Sequence, residues 1–148
     1  VPRLDEAYIK TGKVRYAVRD LPLSIHRNAF KAAEATHCAA DQGKYWEFHD
    51  LLFANQAKLN RQDLTAHART LDLNVAAFDE CVDRGKHAAR IRKDVAETRR
   101  LGPTGTPTFL LGLTDPNSTQ LKVVRVVRGA QAFSAFQEAI DSLLSSGR

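Results

Sequence analysis

The chain has 148 residues and a mass of 16.4 kDa, with 43% hydrophobic and 26% charged residues. These are ordinary values for one globular domain. They exclude a disordered, collagen-like or low-complexity chain, and no apolar run reaches the roughly 18–20 residues of a membrane-spanning helix. Lys and Arg exceed Asp and Glu by 22 to 17, a net charge of +5. That excess is mild and spread along the chain, whereas nucleic-acid binding wants basic groups on one face. The densest basic stretch holds Arg90, Arg92, Lys93, Arg99 and Arg100 beside Asp94 and Glu97, and reads as a solvated helix face.

Leu4, Tyr8 and Ile9 sit at helical spacing, and Gly12 suits the left-handed position after a helix end. The segment Pro2–Lys10 therefore reads as the last turns of a helix. Residues 14–19 alternate, with Val14, Tyr16 and Val18 on one face, and predict a strand that Leu21-Pro22-Leu23 ends. Five helices follow. The first is alanine-rich and covers Arg27–Gln42; Gly43 separates it from Lys44–Asn55. Asn60, with Asp63 three residues on, caps a third that ends near Leu71. Asn74 caps a fourth over about Ala76–Arg84, and Lys86–Leu101 forms the fifth, closed by Gly102-Pro103. The period then returns to two. Thr106–Leu111 and Lys122–Arg128 predict a hairpin with a turn at Asp115-Pro116-Asn117-Ser118. Gln131–Leu144 predicts a final amphipathic helix with Phe133, Phe136, Ile140, Leu143 and Leu144 inward. The order places a helical block of about 27–102 as an insertion into a single α/β domain spanning 1–148.

Four stretches carry a resemblance to a known family. They are Thr11-Gly12-Lys13-Val14 leading to Arg19-Asp20-Leu21-Pro22-Leu23, the run from Ala39 through Gly43-Lys44-Tyr45-Trp46-Glu47-Phe48 to Phe53, Gly105-Thr106-Pro107-Thr108-Phe109, and Arg128-Gly129-Ala130-Gln131. In this order the sequence resembles the DsbA-like thioredoxin family of disulfide oxidoreductases, in its BdbD-like branch. The resemblance implies an α/β thioredoxin-like fold with a helical insertion. It implies a cis peptide bond at Pro107, with Thr106 and Pro107 forming a loop that pairs with an extended substrate segment. Unfolded or partly folded protein thiols would be the partners, with no cofactor, no nucleic acid and no membrane span, and the location would be periplasmic or secreted. Val1-Pro2-Arg3-Leu4-Asp5-Glu6 lacks the charged-then-apolar order of a signal peptide.

The family's active site is a Cys-x-x-Cys pair at the start of the first long helix, after the central strand. This sequence contains no such motif. Its first residues match the end of that helix, so the central strand and the helix start are expected upstream of Val1. The absence of Met agrees with a fragment, a processed product or a non-Met start. Thiol–disulfide exchange needs a thiolate, and thiolates form at helix N-termini and in Cys-x-x-Cys pairs. The expectation is therefore an oxidoreductase domain for extracytoplasmic proteins that is inactive as this chain. Two alternatives are a redox-dead peptide-binding module and a relative of the kappa glutathione transferases. With the central strand absent, the strands at 14–19 and 107–111 would have open edges, which predicts a dimer or a distorted sheet.

Cys38 and Cys81 each lie inside a helix of the insertion, with no second Cys nearby. They can be two buried thiols, or a disulfide that staples the first helix of the insertion to the fourth. The disulfide is favoured, because some relatives carry a second, non-catalytic pair in this insertion. The histidines at 26, 37, 49, 67 and 87 fall on different elements without His-x-x-x-His or His-Glu-x-x-His spacing, so no metal site is expected. His49 and Asp50 are neighbours on a helix and are expected to face apart. Trp46, Phe48 and Phe53 read as packing between helices.

Overall fold

A computed structural model describes residues 2–114 and 121–146 of the chain. The turn expected at 115–118 lies outside the described residues. A short helix α1 (Pro2–Leu4) continues as a π-helical turn, Asp5–Ile9. Gly12 follows with φ +73°, the left-handed conformation expected there. The remaining helices are α2 (Ala29–Ala40), α3 (Tyr45–Ala54), α4 (Arg61–Thr70), α5 (Val75–Asp83), α6 (Ala88–Arg100) and α7 (Phe133–Ser146). Two strands, β1 (Thr108–Thr114) and β2 (Leu121–Arg128), pair antiparallel. The chain forms two compact units, one from the described residues of Val1–Val18 and Pro103–Arg148, the other from Arg19–Gly102.

In the helical unit α2 is the central element and touches α3, α4, α5 and α6. Its alanines let neighbours approach closely. Ala35, Cys38 and Ala39 are buried with Phe48, Leu52, Leu64, Ala68, Phe78 and Val82 in one continuous core. The Phe48 and Phe78 rings meet at 5.4 Å between centroids. Local chemistry fixes the helix starts. The Asn60 side chain accepts from the Asp63 N–H at 2.9 Å, and the Asn60 N–H donates to Asp63 at 3.2 Å, a complete capping box. The Asn74 side chain accepts from the Ala77 N–H at 3.1 Å. Arg61 on α4 forks onto both oxygens of Asp83 on α5, at 2.7 and 3.1 Å. The basic residues of α6 singled out in sequence are exposed, while Ile91 and Asp94 are buried.

In the other unit, Tyr8, Phe136 and Ile140 form a smaller buried cluster, with Val14, Phe109, Leu111, Val127 and Phe133 packed against it. Phe109 stands edge-on to Phe136 at 4.7 Å. The hairpin register slips between Leu111 and Gly112: Leu111 pairs with Arg125 and Gly112 with Val123, leaving Val124 as the extra residue of a bulge. Only glycine fits at 112, because a Cβ there would stand 2.0 Å from the Lys122 carbonyl oxygen.

The strand expected at 14–19 does not form. Its alternation survives in burial: Val14, Tyr16 and Val18 are half-buried, and Arg15, Ala17 and Arg19 are exposed. Yet no strand among the described residues pairs with this segment. Period-two patterning specifies which side faces inward, but a strand also needs a hydrogen-bonded neighbour. The observed sheet has two strands, fewer than a thioredoxin-like α/β sheet leads one to expect from sequence.

Candidate functional site

Two places carry chemistry, one in each unit. In the first, Pro103 is buried, Thr106 and Pro107 are exposed, and the Thr106–Pro107 peptide bond is cis. The loop is pinned from both sides. The Pro107 carbonyl accepts from the Gly129 N–H at 2.8 Å, and the Thr108 hydroxyl donates to the Gly105 carbonyl at 2.7 Å. These bonds hold β1's entry against β2's exit and leave Thr106 and Pro107 facing outward.

The second place is built on α2 and α5. Cys38 and Cys81 form a disulfide between these helices, with Cα atoms 5.9 Å apart. Cys38 is 1% exposed, and Cys81 is half-buried. Asp41, one turn beyond Cys38, gathers the polar groups around the bridge. His87 Nε2 lies 2.9 Å from Asp41 Oδ2, Lys86 Nζ donates to the same oxygen at 2.9 Å, and that oxygen is 3.8 Å from Cys81 Sγ. Burial works to raise the Asp41 carboxyl, but the hydrogen bonds and charges of His87 and Lys86 outweigh it and hold Asp41 below the usual carboxylate range. On the other side His37 stands 5.6 Å from His87, ring to ring, and bonds Asp20 through Nε2 at 2.6 Å. The backbone N–H of Asp20 donates to the buried Asp94 at 3.3 Å, as does the Arg19 guanidinium at 3.1 Å. Asp94 thereby satisfies its charge in the interior.

Several sequence expectations change here. In sequence His37 and His87 fall on different elements without metal-binding spacing. The fold brings them together beside the cysteines, so that Cys38, Cys81 and His87 each offer a ligand atom within 4.8 Å of one another. Sequence spacing misses this set because its members come from α2, α5 and the entry to α6. His49 and Asp50 do meet: adjacent side chains on the exposed face reach each other at 2.9 Å. Of the three aromatics read as interhelical packing, only Phe48 is buried. Trp46 is 45% exposed and Phe53 64% exposed, and they flank His49 on the outer face of α3 at 5.5 and 4.6 Å.

A thioredoxin-like domain of the DsbA kind is what this arrangement defines: a proline loop entering an antiparallel hairpin, a terminal helix against it, and a helical block inserted in the sequence between. The chain belongs to the thioredoxin family, which it matches over residues 1–142. Its structure is similar to the crystal structure of Wolbachia pipientis alpha-DsbA1, with a TM-score of 0.81 and 28% identity, covering 98% of this chain and 75% of that one.

Curated relatives place the similarity in another setting. The chain is 41% identical over 111 residues to Na(+)/H(+) antiporter NhaA 3 of Salinispora tropica, covering 74% of this chain and 17% of that protein. It is 36% identical over 98 residues to Na(+)/H(+) antiporter NhaA of Herminiimonas arsenicoxydans, covering 66% of this chain and 16% of the relative. The chain thus spans about one-sixth of the length of these relatives. They correct the expected periplasmic or secreted location, because the counterparts of this chain are segments of proteins named as ion antiporters. That expectation rested on the family resemblance alone and on no targeting segment, and a compact domain of one fold can be built into chains of different destination. Among the described residues no helix is long and apolar enough to cross a membrane.

Proposed function

We propose that this chain is a thioredoxin-like module of the thiol–disulfide oxidoreductase class, one domain over 1–148 with its helical insertion at about 27–102, in which Thr106 and Pro107 receive an extended protein segment. The observation that carries this reading is the match to alpha-DsbA1 over 98% of the chain. The exposed, doubly pinned loop at 105–108 supports it, since a backbone held rigid and outward can pair with a partner's backbone. The module belongs to the BdbD-like branch, and its dithiol chemistry requires a Cys-x-x-Cys pair that these 148 residues do not contain. The chain by itself is therefore a binding half-site without turnover. Its partners are unfolded or partly folded proteins bearing thiols. The test is an insulin-reduction and dithiol-oxidation assay against a variant lacking both cysteines; turnover above that control sinks the reading. Binding of an unfolded carboxymethylated protein, weakened by Thr106→Pro, supports it.

Among the described residues no further strand pairs with the outer edge of β1 or β2, and such edges favour a second copy as a further partner. Equilibrium sedimentation giving a monomer with a high melting temperature overturns that part.

A second reading is favoured by the antiporter relatives. There the module is one part of a longer polypeptide that also holds an antiporter of the NhaA kind. An intact mass of the native protein several-fold above 16.4 kDa supports this reading, and a mass of 16.4 kDa overturns it.

A further inference from the structure

We propose that the Cys38–Cys81 bridge is one state of a redox-gated metal site: when a dithiol reductant opens it, Cys38, Cys81 and His87 bind a zinc ion. Three observations support this. Ligand atoms of these residues already lie within 4.8 Å of one another. Around a tetrahedral zinc, with bonds of about 2.3 Å to sulfur and 2.0–2.1 Å to nitrogen, neighbouring ligand atoms are roughly 3.5–3.8 Å apart. The histidine needs only a small approach, and the two sulfurs need only to part after reduction. Next, a carboxylate stands beside His87: its Nε2 lies 2.9 Å from Asp41 Oδ2, and metal-binding histidines commonly have a carboxylate as an outer-sphere partner. Finally, the set is partly dry. Cys38 is fully buried and Cys81 and His87 are half-buried, so a bound ion is sheltered but reachable from the Cys81 side.

The steps balance as follows. A thiolate of the reductant attacks the more accessible Cys81 sulfur. A mixed disulfide forms, the Cys81–Cys38 bond breaks, and Cys38 leaves as a thiolate. The second thiolate of the reductant attacks its own sulfur in the mixed disulfide and releases Cys81. The dithiol is oxidised to a disulfide, the cystine gains two electrons, and the two protons lost by the dithiol pass to solvent. Zinc takes the two thiolates and a neutral imidazole into a net uncharged centre, with water in the fourth position. The consequence is structural. The disulfide links α2 to α5, and the metal adds a third tie to the entry of α6, where His87 sits immediately before Ala88. The helical unit then keeps a cross-link in both redox states.

The test uses the full chain reduced with a phosphine, which does not compete for metal as a thiol does, and cobalt(II) as the probe. The reduced chain is expected to bind one equivalent. The near-ultraviolet thiolate-to-cobalt band and the visible bands of tetrahedral cobalt appear, zinc displaces them, and the air-oxidised chain shows neither. His87→Gln is expected to weaken binding by at least about tenfold, and Asp41→Asn by about 10–100-fold with the thiolate band retained. Circular dichroism guards against a folding artefact. A reduced chain that loses helix and regains it with zinc supports the site; one that loses helix and does not regain it overturns it. A reduced chain without the thiolate band, or His87→Gln binding as tightly as the parent, also overturns the proposal.

Discussion

The two units solve the burial problem differently. In the helical unit, one small-residue helix lets four others close around it, and large side chains such as Phe48, Leu64 and Phe78 are wholly buried. In the unit holding the hairpin, the buried cluster is Tyr8, Phe136 and Ile140, and β2 exposes nearly every residue, Val124 and Val126 included. A two-stranded sheet has too little surface to bury both faces, so its stability depends on the helix laid across one of them. The helical unit thus holds the larger buried core, and the hairpin unit carries the exposed loop at Thr106 and Pro107. Low local stability is common where a protein must receive a ligand.

The sharpest way to break this comparison is to empty the larger core. Phe78→Ala is expected to cost about 3–5 kcal/mol, the range for a fully buried phenylalanine, measured by urea unfolding followed in the far ultraviolet. Phe136→Ala removes the same ring from the smaller cluster, where neighbours are half-exposed and can relax, and the loss is expected near the low end of that range. Equal or reversed losses would mean that the hairpin unit is as well packed as the helical one. The disulfide comes next. Replacing Cys38 and Cys81 by alanine, with a chelator present, is expected to cost about 2–4 kcal/mol by relaxing the unfolded chain. The effect belongs in α2 and α5, so amide exchange should quicken there and stay unchanged in β1 and β2. A uniform change across both units would blur the distinction.

Much of the helical unit was legible in sequence because its signals are local. Asn60, Asp63 and Asn74 cap the helices they precede, and glycines at 43 and 85 separate helices at the expected places. The hairpin was legible for the same reason, from a short apolar run at Thr108–Leu111 and a valine-rich run at Lys122–Arg128 close behind it. Residues 14–19 were misread as a strand because a strand is a relation between distant segments, and the alternation of Val14, Tyr16 and Val18 records only which side is inward. The cysteine pairing was open in sequence, and the place of His87 beside it was not foreseen. Both depend on how α2, α5 and the start of α6 come together, which no local pattern encodes. Trp46 and Phe53 show the converse error: large apolar side chains at helical spacing suggested interior packing, yet both stand at the surface. Apolar character alone does not place a residue inside.

A cap gives a smaller, cleaner probe of the helical unit. Asn60→Ala is expected to cost about 1 kcal/mol, because it orphans the Asp63 N–H in the first turn of α4 while leaving every core contact in place. An unchanged melting temperature would show that solvent replaces the cap without loss.

An effect of similar size tests the hairpin unit through the buried phenol of Tyr8. Tyr8 is 4% exposed and donates to Asp141 on α7 at 2.8 Å. Burial, then the hydrogen bond to the Asp141 carboxylate and that carboxylate's charge, raise the phenol above its ordinary value of 10.0. A group whose folded value is raised contributes stability that is complete below the unfolded value and is lost as pH rises through the folded one. Tyr8 therefore stabilises the fold at neutral pH and ceases to do so in alkali, where ionisation would place a phenolate beside Asp141. Tyr8→Phe keeps the ring in its cluster with Leu4, Ala7 and Phe136 and removes only the hydroxyl. It is expected to cost about 0.5–1.5 kcal/mol at pH 7 and to flatten the fall in stability above about pH 10, so that variant and parent converge there. Denaturant melts at several pH values check this. A constant gap between the two proteins through the alkaline range would mean that the phenol ionises at the same pH folded and unfolded, and that neither burial nor Asp141 raises it.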